Sequence, residues 1–247
     1  MDKSLYVAMT GASASLQAQA GVAQNLSNAN TVGFQATLQN LRAVPILGDG
    51  HASRVATVAE DAGVSATPGV RISTGNALDV ALDQERWLAV QAKDGSTAYT
   101  RAGDLRLDGN GLLRTGAGLP VLNAQGAPLA IPPYDSLNIG DDGTISVVPQ
   151  GQPASTLVQV DRLQVIQARQ DQLARGDDGL MRSTAAEPPA AAAGKVLSSG
   201  ALEQSNVDST SMLVRMIELS RQFEMQVRVL HSGDENARSA NSLLSSR

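Results

Sequence analysis

Near the C-terminal end, Met212, Met216, Leu219, Phe223, Val227 and Leu230 recur at steps of four and three. That spacing keeps apolar side chains on one stripe of a helix. Between them stand Arg215, Glu218, Arg221, Glu224 and Arg228, mixed in sign and suited to water. Asn206 and Asp208 precede the first periodic residue, where short polar side chains accept from the free N–H groups of a first turn. The stripe continues past Ser232-Gly233 through Ala237, Ala240 and Leu244. The pattern predicts a C-terminal helix over 206–247. A helix with a single apolar seam needs a partner, because nucleation is costly and propensity contributes little.

The first thirty residues offer that partner. Leu5, Met9, Ala12, Leu16, Ala23 and Leu26 follow the same rhythm, interrupted by Gln19. Small residues at such a seam let two backbones approach closely. Two packings satisfy the pattern: a coiled-coil-like unit built from the chain ends, or a helical hairpin within one globular core.

The middle of the chain changes period. From Thr67 to Gln167, runs such as Trp87-Leu88-Ala89-Val90 and Leu119-Pro120-Val121-Leu122 are punctuated by Asp94-Gly95, Asp108-Gly109, Asn110-Gly111, Gln125-Gly126 and Asp142-Gly143. Such dipeptides between apolar runs are strong hairpin signals. The expected fold class is α+β: long N- and C-terminal helices form a coiled-coil-like inner domain, with an inserted all-β domain of short strands. The expected segments are 1–34, an N-terminal helix and turn; 35–66, an extended segment around Gly48-Asp49-Gly50; 67–183, the β domain; 184–205, a connector containing Pro188-Pro189; and 206–247, the C-terminal helix.

Composition narrows the chemistry. Among 247 residues there is no Cys, aromatic content is 2%, and 24 acidic against 19 basic residues give a net charge of −5. That balance, without a Lys/Arg run, argues against nucleic acid as a partner, since phosphate neutralisation drives such binding. No Cys means no disulfide, thiolate or cysteine-ligated zinc. No run is long enough to span a bilayer. The apolar stretch Leu5–Met9 is too short for a cleaved secretory signal.

The carboxylate pairs Asp83 and Glu85, Asp141 and Asp142, and Asp177 and Asp178 lie in turn contexts, which favours solvated turn residues over acid/base catalysis. Asp108-Gly109-Asn110-Gly111 opens like a calcium loop, but Leu112 takes a ligand position and the closing Glu is missing. His51 and His231 lack a ligand-like spacing. No catalytic, cofactor-binding or metal-ligating residue is nominated, no cofactor is expected, and the chain reads as a non-enzyme.

The run Asn25-Leu26-Ser27-Asn28-Ala29-Asn30-Thr31-Val32-Gly33-Phe34 reads locally as a helix stop, since Asn and Gly tolerate left-handed backbone. It also resembles the N-terminal signature of the flagellar basal-body rod protein family and its hook relatives, with Asn25, Leu26, Asn28, Asn30, Gly33 and Phe34 carrying the likeness. Thr74 to Leu82, Tyr99-Thr100-Arg101-Ala102-Gly103-Asp104 and Ile139 to Ser146 resemble segments of the family's β domain. Ser199 to Val207 and Arg221 to Gln226 resemble the C-terminal part of its proximal-rod branch. One departure is Gln84-Glu85-Arg86 before Trp87, where the family usually has Gly-Asp-Gly.

The resemblance implies a structural subunit of the proximal rod in the flagellar basal body, contributing to motility by self-assembly. It implies as partners other proximal and distal rod subunits, copies of itself and the flagellar type III export apparatus. It also implies a periplasmic location reached without a cleaved signal. The implied assembly seam is Leu5, Met9, Ala12, Leu16, Ala23, Leu26, Met212, Met216, Leu219, Phe223 and Leu230. The alternatives are a distal-rod or hook-type axial protein of the same family, or a non-enzymatic β-domain module that binds cell wall.

Overall fold

The computed structural model describes residues 3–46, 55–153, 155–185 and 189–245, without the side chains of residues 3, 4, 237, 240, 241 and 243–245. The expected turn at Gly48-Asp49-Gly50, His51, Pro188 and the side chains of Ala237, Ala240 and Leu244 therefore lie outside the described residues.

The chain is α+β, with one long helix near each end and many short strands between them. It divides into two compact units, the first of residues 1–29, 37–62 and 207–247, the second of 30–36 and 63–206. In the first unit, α1 (Lys3–Ser27) packs along α2 (Ser209–Ser245) and also touches β1 (Thr37–Pro45), which pairs with β2 (Val55–Val64). The two helices run antiparallel: Leu5 lies against Gly233, Gly11 against Gln226, and Ala18 and Val22 against Leu219.

Local chemistry sets the helix ends. The backbone N–H of Asn28 reaches the carbonyls of Gln24 and Asn25 at 3.3 and 3.1 Å, and its side-chain amide donates to Gln24 at 2.9 Å, closing α1. At the start of α2, Asp208 accepts from the Thr210 N–H at 3.1 Å and from the Ser211 hydroxyl. Those hydrogen bonds hold the Asp208 carboxyl below the usual aspartate range, the Ser211 hydroxyl contributing most. Asn206, expected beside it as a cap, serves the second unit instead.

The second unit holds a five-stranded antiparallel sheet in the order Val165–Gln167, Arg86–Gln91, Thr97–Thr100, Met181–Ser183, Leu173–Arg175. A three-stranded sheet joins Val158–Arg162, Thr144–Pro149 and Tyr134–Ile139. Three two-stranded ladders pair Leu197–Ser199 with Val80–Leu82, Ala201–Glu203 with Arg71–Ser73, and Leu105–Leu107 with Leu113–Thr115. Hairpins turn at Asp94-Gly95, across Asp108–Gly111, and at Asp142-Gly143, where glycines take positive φ.

Leu119–Leu122 forms isolated bridges from Pro120 on, since proline lacks the N–H a ladder needs. The stretch read as a connector is more ordered than expected: Ala192 is buried, and residues 197–203 supply two strands. The main core gathers Leu82, Leu88, Val90, Leu105, Leu113, Val121, Ile145 and Leu197 around these sheets.

Candidate functional site

Two places bring together the residues singled out in the sequence: the helix pair and the turn after α1. On α2, Leu219 is buried and Met212, Met216, Phe223, Val227 and Leu230 are half-buried, all on the face toward α1. On α1, Ala12 is buried, and Leu5 and Leu26 are half-buried. Met9, at 54% exposed, and Leu16, at 48%, face outward, as does Ala23.

The face α1 turns inward is one position away and made of small groups: Ala8, Gly11, Ser15, Ala18, Val22 and Asn25. One position is about 100° around a helix. The physical reason is complementarity. α2 supplies the bulk (Met212, Met216, Leu219), so α1 fills the space with Ala and Gly and comes close. A Cβ on Gly11 would lie 3.1 Å from the Gln226 amide, and one on Gly233 would lie 2.8 Å from Leu5. Ser15 satisfies its buried hydroxyl by donating to the Gly11 carbonyl at 3.0 Å.

What remains outside is a second stripe on α1: Tyr6, Met9, Ser13, Leu16, Ala20 and Ala23, all exposed and again at steps of three and four. The outer side of α2 carries Leu213, Val214, Ile217, Met225 and Val229, each at least half exposed. From Ser4 to Ser27, α1 has no charged residue. An apolar, uncharged face of this length is unusual on a surface that only meets water.

The signature turn divides between the units. Asn25 is buried and holds Thr37 in the first unit by both ends of its amide, accepting from the Thr37 N–H at 2.8 Å and donating to its carbonyl at 2.9 Å. Leu26 and Asn28 are half-buried in the last turn of α1, and Asn30 is exposed. Gly33 and Phe34 belong to the second unit. Gly33 has φ +66°, its N–H donates to the Glu203 carbonyl at 2.8 Å, and a Cβ there would lie 2.3 Å from the Arg101 carbonyl. Only glycine meets both demands. The Phe34 ring lies 4.5 Å beneath the Arg175 guanidinium, a cation–π contact.

Arg101 and Glu203 make the hub of this region. Both are buried, at 3% and 1% exposure, and the Arg101 Nε lies 3.2 Å from each Glu203 oxygen, with a further short contact through Nη2. Arg101 also donates to the carbonyls of Leu82, Asp83 and Arg86 at 3.1, 3.1 and 2.8 Å. Glu203 accepts from the Gly69 N–H at 3.1 Å. Asn206 accepts from the Ala36 N–H at 2.7 Å and donates to the Thr67 carbonyl at 2.7 Å. The sequence had marked Arg101 and Glu203 only as members of separate motifs. Glu203, a charged residue in the short, otherwise apolar strand Ala201–Glu203, was the available signal for a buried pair.

The acidic pairs prove to be turn and ion-pair residues. Asp83 meets Arg71 at 3.1 Å, Asp141 meets Lys195 at 3.2 Å, and Asp178 meets Arg182 at 2.8 Å. Asp142 is bonded by the hydroxyl and N–H of Thr144, and its carboxyl stays below the usual range for that reason. Asp108 accepts from the N–H groups of Asn110 and Leu112 and from Arg114, the hydrogen-bond pattern of a turn residue. His231 is exposed on α2. At Gln84-Glu85-Arg86, Glu85 itself takes the left-handed conformation, φ 56°, that a glycine would adopt freely.

Comparison with known proteins agrees with this arrangement of motifs. A family model described as "Flagella basal body rod protein" matches residues 5–35, one described as "Flagellar hook protein FlgE/F/G D1 domain" matches 81–147, and one described as "Flagellar basal body rod FlgEFG protein C-terminal" matches 198–243. The chain is 44% identical to the flagellar basal-body rod protein FlgF of Escherichia coli (strain K12), across 99% of both chains. It is 43% identical to FlgF of Salmonella typhimurium, also across 99% of both. Against the rod protein FlgG of Bacillus subtilis (strain 168) the identity is 32%, over 95% of this chain and 96% of that one. With full-length identity at this level and three rod-family matches from α1 to α2, the chain belongs to the flagellar basal-body rod protein family, as a member of the FlgF type.

Proposed function

We propose that the chain is a non-enzymatic subunit of the proximal rod and that its work is assembly. In this reading the antiparallel terminal helices act as a coiled-coil-like inner element, with the β domain inserted between them, and the outer apolar stripes meet neighbouring rod subunits. Leu5, Ala12, Leu26, Met212, Met216, Leu219, Phe223 and Leu230 hold α1 to α2, whereas Met9, Leu16 and Ala23 serve contacts between subunits. The partners are copies of the chain and other rod proteins, reached after export without a cleaved signal to the periplasmic part of the basal body.

One observation carries the proposal. Large apolar side chains on the helix pair stay exposed (Tyr6, Met9, Leu16, Leu213, Ile217, Met225), while the β-domain core is closed. Burying a Leu, Met or Ile contributes about 1.5–3 kcal/mol each, so covering these stripes supplies a driving force for polymerisation. If the stripes meet head to tail, such contacts need not close on themselves and build a helical shaft.

The test is complementation, in a flagellated bacterium, of a non-motile deletion of its own FlgF-type subunit. Met9→Glu with Leu16→Glu is expected to abolish motility and rod completion while the purified variant keeps the wild-type melting of the β domain. Motility at the wild-type level would exclude this face as an assembly surface.

A further inference from the structure

The turn Asp83–Arg86 borders an open cleft of about 580 Å³ whose charged lining is Arg71, Asp83, Arg86 and Lys195. Two of its three cations are already engaged. The Arg71 guanidinium donates to the Leu82 carbonyl at 2.7 Å and to Asp83 at 3.1 Å, and Lys195 lies 3.2 Å from Asp141. Arg86 differs. Among the described residues it takes part in no ion pair, and its Nε is buried without a hydrogen-bond acceptor. A buried charged donor without an acceptor is costly, and such a group gains most from an incoming anion.

We propose that this cleft receives a carboxylate side chain from a neighbouring rod subunit, with Arg86 as the residue that grips it. The proposal rests on the assembly reading above. Charge selects the ligand class: Arg71, Arg86 and Lys195 face Asp83 and Asp141, which leaves one positive charge uncompensated. A carboxylate matches that single charge, whereas a phosphate group brings about −1.5 to −2.

Placement favours the same reading. The Arg86 N–H donates to the Asp83 carbonyl at 3.1 Å and the Arg86 carbonyl accepts from Arg101 at 2.8 Å, so its backbone is fixed before any ligand arrives. Glu85 beside it holds a left-handed φ of 56°, a strained conformation of the sort retained at functional turns. This chain carries more carboxylates than cations, 24 against 19, so a neighbouring copy readily supplies an acidic side chain.

The experiment follows arginine Nε–H and lysine resonances by NMR in the full chain during titration with acetate, a singly charged mimic of an Asp or Glu side chain, and, separately, with inorganic phosphate. Acetate is expected to shift Arg86 saturably and phosphate to bind more weakly. Arg86→Gln is expected to remove the response at Arg71 and Lys195 without lowering the melting temperature. In cells, Arg86→Gln is expected to reduce rod completion. No saturable response to acetate, tighter binding of phosphate, or an unchanged response in Arg86→Gln would each overturn the proposal. Acetate binding together with normal rods in Arg86→Gln would overturn it as well, because the cleft's occupant would then not be a neighbouring subunit. The titration does not depend on the helices polymerising, so its outcome is separable from that of the assembly reading.

Discussion

Arg101 and Glu203, 102 residues apart in sequence, form a two-pronged ion pair that is almost wholly buried. Around it meet the turn after α1, the Tyr99–Gly103 segment and the strand leading toward α2. Removing one partner of a buried pair leaves an uncompensated charge and typically costs about 3–5 kcal/mol. Glu203→Gln and Arg101→Met are each expected to lower the β domain's stability by that order. The double variant is expected to lose less than the sum of the two, read from urea denaturation in a double-mutant cycle.

Gly33→Ala combines two penalties. Its φ of +66° lies in the left-handed region, and the added Cβ would fall 2.3 Å from the Arg101 backbone. A strained conformation costs roughly 1–3 kcal/mol, and the clash forces the chain to move as well. The expected outcome is a loss of at least about 2 kcal/mol in the second unit, measured by thermal denaturation. A variant that melts like the wild type would show that this turn does not dock as described.

The turn at Glu85 is expected to respond in the opposite direction. A left-handed non-glycine residue costs about 1–2 kcal/mol, and glycine's extra backbone entropy offsets about 0.5–1 kcal/mol of the gain. Glu85→Gly is therefore expected to stabilise the chain by about 0.5–1 kcal/mol in chemical denaturation.

Acid stability follows from the turn aspartates. Hydrogen bonds from Ser96 to Asp94 and from Thr144 to Asp142, and Arg114 and Arg182 beside Asp108 and Asp178, hold these carboxyls below the ordinary range. The stability they contribute is complete above the unfolded value of about 3.9 and is lost as pH falls through the depressed folded values. Asp104 works the other way: burial pushes its carboxyl up, so its contribution is present at low pH and lost as pH rises through that raised value. Chemical denaturation followed from neutral pH into the acid range is expected to show net destabilisation on acidification, because the lowered carboxyls outnumber the raised one. Asp142→Asn is expected to flatten the acid limb, and Asp104→Asn to remove the opposing loss.

Much of this was legible in the sequence because periodicity and turn chemistry are local. The α2 stripe from Met212 to Leu230 faces α1, and the Asp-Gly turns join strands. The inner face of α1 was not legible, because a search for large apolar residues finds Met9 and Leu16 and passes over Ala8, Gly11, Ser15 and Ala18. Small groups signal a packing face only when the partner's bulk is known. Nor could spacing show that Arg101 pairs with Glu203, or that Asn206 serves Ala36 and Thr67 rather than capping α2, since these are long-range contacts. The glycine missing before Trp87 was visible in the sequence, and its consequence is the left-handed Glu85.

The outer stripes can be tested most directly by thiol accessibility, which the absence of native Cys makes specific. Single variants Leu16→Cys, Ile217→Cys and, as an exposed β-domain control, Asn110→Cys would be labelled with a maleimide in the free subunit and in purified basal bodies. All three are expected to react readily in the free subunit. In assembled rods Leu16→Cys and Ile217→Cys are expected to be strongly protected by neighbouring subunits. Equal labelling of these two positions in free and assembled protein would contradict the account.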